Sequence, residues 1–207
     1  MERYLAAGKE YVRHHLPKQL LVSLPLFLLT PLFAGTRNLG QTETAQLLDF
    51  YAVLPGMLLL IPVFLPEADP NIRALIRSKY TSMGSIYLIR MALNILVMVI
   101  LAAGFLWSLR AGNCQFPYAS YLLAAMSGML FLGGIGTLGT ACTGNLVIGY
   151  MAAFGYYLFS FGAGEKYLGN WYLFSLATGS YTEKRYLAMT GILLLGISVW
   201  IRMKKED

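Results

Sequence analysis

Six stretches of mostly apolar residues recur along the chain, separated by polar segments. They cover about residues 19–35, 45–65, 86–107, 119–141, 146–163 and 186–203. Each is close to the roughly 20 residues with which a helix crosses about 30 Å of hydrocarbon. Because backbone groups in lipid must be bonded within their own segment, helices are the expected structure. The pattern predicts an all-α integral membrane protein with six transmembrane helices.

The composition supports this class. Hydrophobic residues make up 57% of the 207 residues and charged residues 13%, whereas soluble domains average about 45–50% and about 25%. These values exclude an ordinary soluble protein. The net charge of +6 is explained by anionic lipid and by basic residues retained at the cytoplasmic surface, so nucleic acid is not expected as a partner.

The distribution of Lys and Arg predicts the orientation of the chain. With a cytoplasmic N-terminus, the inner segments contain ten basic residues: Arg3, Lys9, Arg13, Lys18, Arg73, Arg77, Lys79, Arg202, Lys204 and Lys205. The outer segments contain five: Arg37, Arg110, Lys166, Lys184 and Arg185. Arg90 lies near the inner end of the third span, from where its side chain reaches the headgroups. The excess predicts that both termini are cytoplasmic. The expected location of this multi-pass protein is the cell (plasma) membrane.

The N-terminal segment, 1–18, carries charges and two histidines before any apolar run. It therefore does not resemble a secretory signal. The spacing allows four apolar residues to share one side of a helix, namely Tyr4, Leu5, Tyr11 and Val12. We expect an amphipathic helix in the inner membrane interface, with a solvated polar tail as the alternative.

The longest polar interruption, 66–85, lies between the second and third spans. Asp69 is a good N-cap, and Pro70 suits the first helical position. Apolar residues recur at helical spacing on one face and two arginines lie on another: Ile72, Leu75 and Ile76, against Arg73 and Arg77. The segment predicts a short amphipathic helix at about 70–79. Two interpretations stay open, a docking helix for a soluble protein and a helix that rests on the inner leaflet.

The fourth apolar stretch is rich in glycine: Gly128, Gly133, Gly134, Gly136 and Gly139. The last three fit G-x-G-x-x-G, but no strand precedes them and no soluble helix follows, which excludes a dinucleotide site of that kind. We predict that these glycines allow neighbouring helices to approach closely. The chain also contains no G-x-x-x-x-G-K-[ST], so it has no P-loop ATPase of its own.

Two polar residues lie inside predicted spans and are candidates for lining a path. Asp49 is near the outer end of the second span, and Asn94 follows Arg90 by one helical turn in the third. A structural hydrogen bond between spans explains Asn94 equally well. Cys114 and Cys142 are separated by a helix length and should not pair. No metal site and no bound cofactor are expected.

The order of these parts resembles the membrane subunit of ATP-binding-cassette exporters of the ABC-type-2 permease family. Glu67 closes the second span, and IRALIRSKYTSMGSIYLIR then leads into the third, which is similar to the coupling loop of that family. The tail EKYLGNWYLFSLATGSYTEKRYLAMTGILLLGISVWIRMKKED is similar to its outer helical excursion and last span. The resemblance covers nearly the whole chain and depends on architecture rather than on an invariant signature.

The resemblance implies one transmembrane domain, 1–207. Its parts are an interfacial helix at 1–18, two spans at 19–65, a cytoplasmic coupling loop at 66–85, three spans at 86–163, an outer excursion with short re-entrant helices at 164–185, and the last span with its tail at 186–207. The partners would be two copies of a cytosolic ATPase subunit, which bind ATP and Mg²⁺, and a second membrane subunit, identical or paralogous. The residues expected to contact the ATPase are Glu67, Asp69, Ile72, Arg73, Leu75, Ile76, Arg77 and Lys79.

The outer excursion is too long for a simple turn and too polar for a full span. Its aromatic residues Tyr167, Trp171, Tyr172, Phe174 and Tyr181 are expected at the water boundary, together with the charged residues Glu165, Lys166, Glu183, Lys184 and Arg185. The resembled family uses this region to cap the translocation path, and an aromatic belt is the simpler alternative.

Two other functions remain as alternatives. An ion-coupled secondary transporter would have related halves and ionisable residues at the midplane, and neither is evident in the sequence. A membrane-embedded enzyme would have clustered His, Asp or Glu at one face, and the nearest group, Glu67 and Asp69 beside Arg73, is more typical of a helix start.

Overall fold

The computed structural model describes residues 2–68 and 83–206. Those residues form helices and their connections, without a strand in either range. The all-α class predicted from the sequence is confirmed for them. The predicted coupling helix at about 70–79 lies outside the described residues.

The helices follow the apolar pattern closely. They are α1 (Glu2–His14), α2 (Leu16–Ala34), α3 (Gln41–Leu47), a π-helical turn (Leu48–Ala52), α4 (Leu54–Leu60), a 3₁₀ helix (Ile61–Ala68), α5 (Met83–Ala111), α6 (Tyr118–Thr143), α7 (Leu146–Ala163), α8 (Glu165–Leu168), a second 3₁₀ turn (Gly169–Trp171) and α9 (Thr182–Glu206).

Five of these stretches are long and apolar enough to cross a membrane, counted over the described ranges: Gln41–Leu65, Gly84–Ala111, Tyr118–Thr143, Leu146–Ala163 and Thr182–Lys205. They correspond to the second through sixth predicted spans. The first predicted span coincides with α2, and among the described side chains of that helix the apolar stretch is the shorter Leu16–Phe27. The length and hydropathy of these helices therefore identify the chain as a membrane protein.

The second span is one path made of four helical pieces. It passes from α3 through the π-helical turn, breaks at Val53, resumes as α4 and ends as a 3₁₀ helix. Pro55 and Pro62 remove two backbone donors from this path, which prevents a regular ladder of hydrogen bonds. A π turn inside a helix often marks a functional position.

Helix α6 lies at the centre of the bundle, where α4, α7 and α9 pack against it. Glycine makes these contacts close. A β-carbon on Gly56 or Gly191 would lie within 3.0 Å of the α6 backbone at Met129 or Phe131. On α6 itself, each glycine named from the sequence has a neighbour within 4 Å of the β-carbon position. The predicted role of these glycines in helix approach is confirmed.

The connections meet at two ends of the bundle. We call the end formed by residues 35–40, 112–117 and 164–181 the loop end, where the Asn38 amide donates to the Gly112 carbonyl at 2.9 Å. We call the opposite end the terminal end. There Lys205 Nζ near the C-terminus donates to the Ala141 carbonyl at 3.1 Å, beside the tight turn at Gly144 and Asn145. Asn145 caps α7 by accepting from the Val147 amide at 2.9 Å.

Both cysteines are free, with Cys114 buried at the loop end and Cys142 exposed at the terminal end. The sequence-based expectation that they do not pair is confirmed. Cys114 Sγ instead lies 3.6 Å from the Thr36 carbonyl.

Candidate functional site

A buried ion pair joins the second span to the start of the last helix. Lys184 Nζ lies 2.6 Å from Asp49 Oδ1, and the two side chains are only 3% and 1% exposed. Asp49 belongs to the π-helical turn and Lys184 to the first turn of α9. A carboxylate and an ammonium group in an apolar bundle require such pairing, because an isolated buried charge is costly.

The pair makes three further hydrogen bonds to the segment before α9. Asp49 Oδ2 accepts from the Leu176 and Ala177 amides at 2.9 and 3.1 Å. Lys184 Nζ also donates to the Leu173 carbonyl at 2.5 Å. The ion pair thus holds three backbone groups of an irregular segment, residues 173–177, which has no helical ladder to satisfy them.

Helix α7 holds the same segment from its other side. Tyr156 Oη donates to the Trp171 carbonyl at 2.7 Å, and Ser160 Oγ accepts from the Leu173 amide at 3.1 Å. Tyr157 Oη extends the link to the second span by donating to the Phe50 carbonyl at 3.0 Å. Residues 171–177 are therefore bonded to the second span, to α7 and to α9 at once.

Aromatic rings fill the space around these polar contacts. The Phe174 ring lies 4.8 Å from Phe50, 5.3 Å from Tyr157 and 5.8 Å from Tyr172, measured between centroids. Such a cluster excludes water from the ion pair. Partial burial, with smaller effects of the Asp49 and Glu165 charges, raises the pKa of Tyr172 above its usual value.

These contacts correct two sequence-based expectations about the excursion. Lys184 and Phe174 were predicted at the water boundary, but they are 3% and 2% exposed. Lys184 turns inward because Asp49 needs a cation, and Phe174 turns inward because its ring joins the aromatic cluster. The prediction of exposure holds for Tyr167, Trp171 and Tyr181, which are 78%, 55% and 40% exposed.

A second buried polar group connects α1 to the bundle. Asn94 Nδ2 donates to the Leu59 carbonyl at 2.7 Å and to Tyr11 Oη at 2.9 Å. Tyr11 Oη also accepts from Gln19 Nε2 at 2.9 Å. The Arg90 guanidinium lies 5.4 Å from the centre of the Tyr11 ring. Asn94 therefore joins α1, α4 and α5, as a structural hydrogen bond between spans would.

Helix α1 is an amphipathic helix, but one of its sides differs from the prediction. Tyr11 is 1% exposed, whereas Val12 is 43% exposed. The position of Gly8 accounts for this orientation, since its β-carbon position lies 3.4 Å from Ile89 and 3.8 Å from Leu93 on α5. The side chains of residues 2–7 lie outside the described set, which leaves Tyr4 and Leu5 untested.

His15 stacks on Tyr11 between α1 and α2, with ring centres 5.8 Å apart. Burial lowers the pKa of His15, and the positive charges of Arg90, Lys18 and His14 lower it further, while Glu10 opposes them. The imidazolium form is therefore disfavoured where α1 meets the bundle.

The two candidate path-lining residues are both buried, but they belong to different groups. Asp49 contacts the loop-end segment and Asn94 contacts α1, and no hydrogen bond described for either reaches the other. Of the predicted ATPase contacts, Asp69, Ile72, Arg73, Leu75, Ile76, Arg77 and Lys79 lie outside the described residues. The backbone of Glu67 lies in the 3₁₀ helix that ends the second span.

A cavity of about 270 Å³ opens beside that 3₁₀ helix at the terminal end. Its lining includes Phe64 and Leu65 of the second span, the turn at Gly144 and Asn145, and Arg202 of α9. The Arg202 guanidinium lies 5.9 Å from the centre of the Phe64 ring.

Sequence reasoning missed Lys184, Tyr156, Ser160 and Tyr11 as members of these groups. One signal was available for the lysine: a carboxylate inside a span needs a cation at the same end, and the outer basic residues offered only five candidates. No pattern in the sequence points to the tyrosine and serine contacts, because they depend on which faces of the helices meet.

No family model matches the chain, and no curated protein or solved structure is significantly similar to it.

Proposed function

We propose that this chain is the membrane-spanning subunit of an ATP-driven exporter, and that a separate soluble ATPase docks on the loop 66–85. The proposal takes α2 as a sixth span and the terminal end as cytoplasmic. ATP binding and hydrolysis by the partner would then shift the spans and move a substrate across the membrane.

The observation that carries the proposal is the position of the polar segment 69–82. It connects the 3₁₀ helix that ends the second span to the start of α5, so it continues directly into two membrane-length helices. The C-terminus of α9 reaches the same end, since Met203 lies against Gly84. A protein that gripped this segment would hold two spans directly.

Two further features are consistent with an exporter subunit. The short α8 and the 3₁₀ turn that follows it lie between α7 and α9, as expected for an excursion with short helices. These 207 residues contain no P-loop sequence, and the proposal therefore assigns the ATPase to a partner.

The experiment is purification of the tagged chain from its membrane in a mild detergent, followed by mass spectrometry and an ATP-hydrolysis assay for a co-purifying soluble ATPase. We expect Ile72→Asp combined with Leu75→Asp to leave the protein in the membrane and to remove the ATPase, because two charges would occupy the apolar face of the docking helix. Val12→Asp, at an exposed position on α1, is the matched control and should keep the ATPase. Full ATPase association and transport in the double variant would contradict the proposal.

An ion-coupled transporter fits the site less well. The ionisable pair Asp49–Lys184 would be its coupling group, but both Asp49 oxygens already accept hydrogen bonds and the carboxylate is 1% exposed. A coupling ion would have to displace Lys184. An imposed proton or sodium gradient that drove transport without ATP would favour this alternative.

A further inference from the structure

Four observations point to a mechanical role for the second span. Its helical path is broken at Val53, its middle packs closely against α6, its loop-end part carries a buried ion pair, and its terminal-end part leads into the polar segment 69–82. The inference that this span transmits movement from one end of the bundle to the other rests on the function proposed above, and it identifies the residues that would transmit the movement.

The middle of the span crosses α6 at close backbone contact. A β-carbon on Gly56 would lie within 3.0 Å of the Met129 backbone, and one on Gly133 would lie 2.8 Å from the Gly56 carbonyl. Gly128 faces Val53 in the same way, with its β-carbon position within 3.0 Å of that side chain. Because backbone meets backbone here, the two helices cannot come closer at this point, and any added side-chain atom would force them apart.

The two arms on either side of this crossing differ in what they touch. The loop-end arm is α3 with the π-helical turn, and Asp49 bonds it to the Leu176 and Ala177 amides and to Lys184. The terminal-end arm is α4 with its 3₁₀ continuation, which has the cavity at Phe64 and Leu65 on one side. The loop-end arm is thus bonded to the excursion and to α9. The terminal-end arm is held at the Leu59 carbonyl by Asn94, and it has free volume to move into only beyond that point, at Phe64 and Leu65.

An ion pair gives the loop-end contact a defined direction, which apolar packing would not. Apolar side chains would hold the arm without the cost of desolvating two charges. The ion pair instead fixes the direction of each contact, because the carboxylate accepts from two successive amides and the ammonium donates to the Leu173 carbonyl. A shift of Asp49 therefore displaces residues 173–177 and the first turn of α9 together.

We propose that the second span is a rocker that pivots on α6 at Gly56 and Met129, and that the Asp49–Lys184 pair links its loop-end arm to residues 173–177. A movement of the terminal-end arm then displaces the excursion at the opposite end of the bundle. Asp49 and Lys184 are positioning residues, since they act by coupling two parts of the chain.

The test uses the full chain in lipid nanodiscs with both native cysteines replaced by serine. Spin labels at Thr178→Cys and Leu123→Cys, both exposed positions, report the distance between the excursion and the loop end of α6. Gly56→Ala forces the second span away from α6 at the pivot. We expect it to shift the distance by on the order of 2 Å, the size of typical helix shifts, and we expect no shift from Gly56→Ala when Asp49→Asn is also present.

This dependence on Asp49 separates coupling from mere support of the fold. Thr44→Val is the matched control, because Thr44 is buried on the same arm and its hydroxyl donates to the carbonyl of Gly40, the residue just before α3, and not to the excursion. Gly56→Ala should shift the distance fully in the Thr44→Val background. An equal shift in the Asp49→Asn background, or none in the otherwise unchanged chain, overturns the rocker. If Gly56→Ala does not fold, Gly133→Ala perturbs the same crossing from α6.

A second measurement separates this inference from the proposed function. In the complex with the co-purified ATPase, trapping with vanadate after ATP hydrolysis should shift the same distance in the unchanged chain and not with Asp49→Asn, while both retain the ATPase. An unshifted distance in the unchanged chain counts against the rocker. If no ATPase co-purifies, the proposed function fails, and the Gly56 measurement on the chain alone still decides the rocker.

Discussion

Lys184 and Asp49 are 135 residues apart in sequence, and their side chains form an ion pair of 2.6 Å that is almost fully buried. This contact ties the second span, the excursion and the last helix into one unit at the loop end. Two buried charges are costly, but here they pair with each other and also bond backbone groups that no helix satisfies.

The ion pair should be strongly stabilising relative to variants that keep only one charge. We expect Lys184→Met or Asp49→Leu to lower the free energy of unfolding by about 3–5 kcal/mol, because each leaves a buried charge without its partner. The double variant should cost less than the sum of the two. Thermal unfolding in detergent measures these changes, with Lys166→Met as an exposed lysine control. Strictly additive losses would show that the pair is not coupled.

The hydrogen bonds of Asn94 to Tyr11 and to the Leu59 carbonyl should determine how firmly α1 is held against the bundle. Tyr11→Phe removes one hydroxyl, and we expect a loss near the roughly 0.6 kcal/mol average for hydrogen bonds between membrane helices. Asn94→Leu should cost more, about 1–3 kcal/mol, because the buried Leu59 carbonyl loses its side-chain donor. Hydrogen exchange of residues 8–14 reports the release of α1. Equal exchange in the unchanged chain and in Asn94→Leu would contradict this assignment.

Acid should loosen α1 through His15. Its pKa is lowered in the folded state from 6.5, so the released form binds protons more readily as pH falls through 6.5. The state in which α1 packs against the bundle therefore loses stability as pH falls below 6.5. Well above that pH, His15 contributes no pH dependence. Exchange of residues 8–14, corrected for the intrinsic effect of pH, should rise on acidification.

His15→Gln should abolish that rise, whereas His14→Gln should retain it. His14 is the matched control because it is exposed and contacts Glu10 of its own helix at 3.0 Å. A rise that persisted unchanged in His15→Gln would assign the pH dependence to another group.

The effect of a glycine-to-alanine substitution on stability should depend on what lies next to that glycine. Gly191→Ala is expected to destabilise the protein, because its β-carbon would meet the Phe131 and Leu130 backbone. Gly155→Ala has no neighbour within 4 Å of the β-carbon position, so it should be neutral or stabilise the helix by up to about 1 kcal/mol. Melting temperatures of the two variants compare them directly, and equal destabilisation would contradict close packing as the cause.

The sequence by itself determined the membrane class and most of the helix positions. Hydropathy over about 20 residues fixes a span because the bilayer thickness is constant, and the fifth span, 146–163, has the same bounds in the structure. The glycines of α6 could likewise be assigned to helix contacts, since small residues inside a span have few other uses. Asp49 and Asn94 were identified as candidates because polar groups are rare in such segments.

Only the tertiary structure decided what those polar groups contact. Hydropathy is a property of one segment, whereas a partner for Asp49 depends on which faces of three distant segments meet, and Lys184 looked like any other basic residue near a membrane surface. The inward turn of Phe174 and Tyr11 has the same origin: each ring is buried by helices far away in sequence. The helices follow from local physics, and the site follows from how they pack.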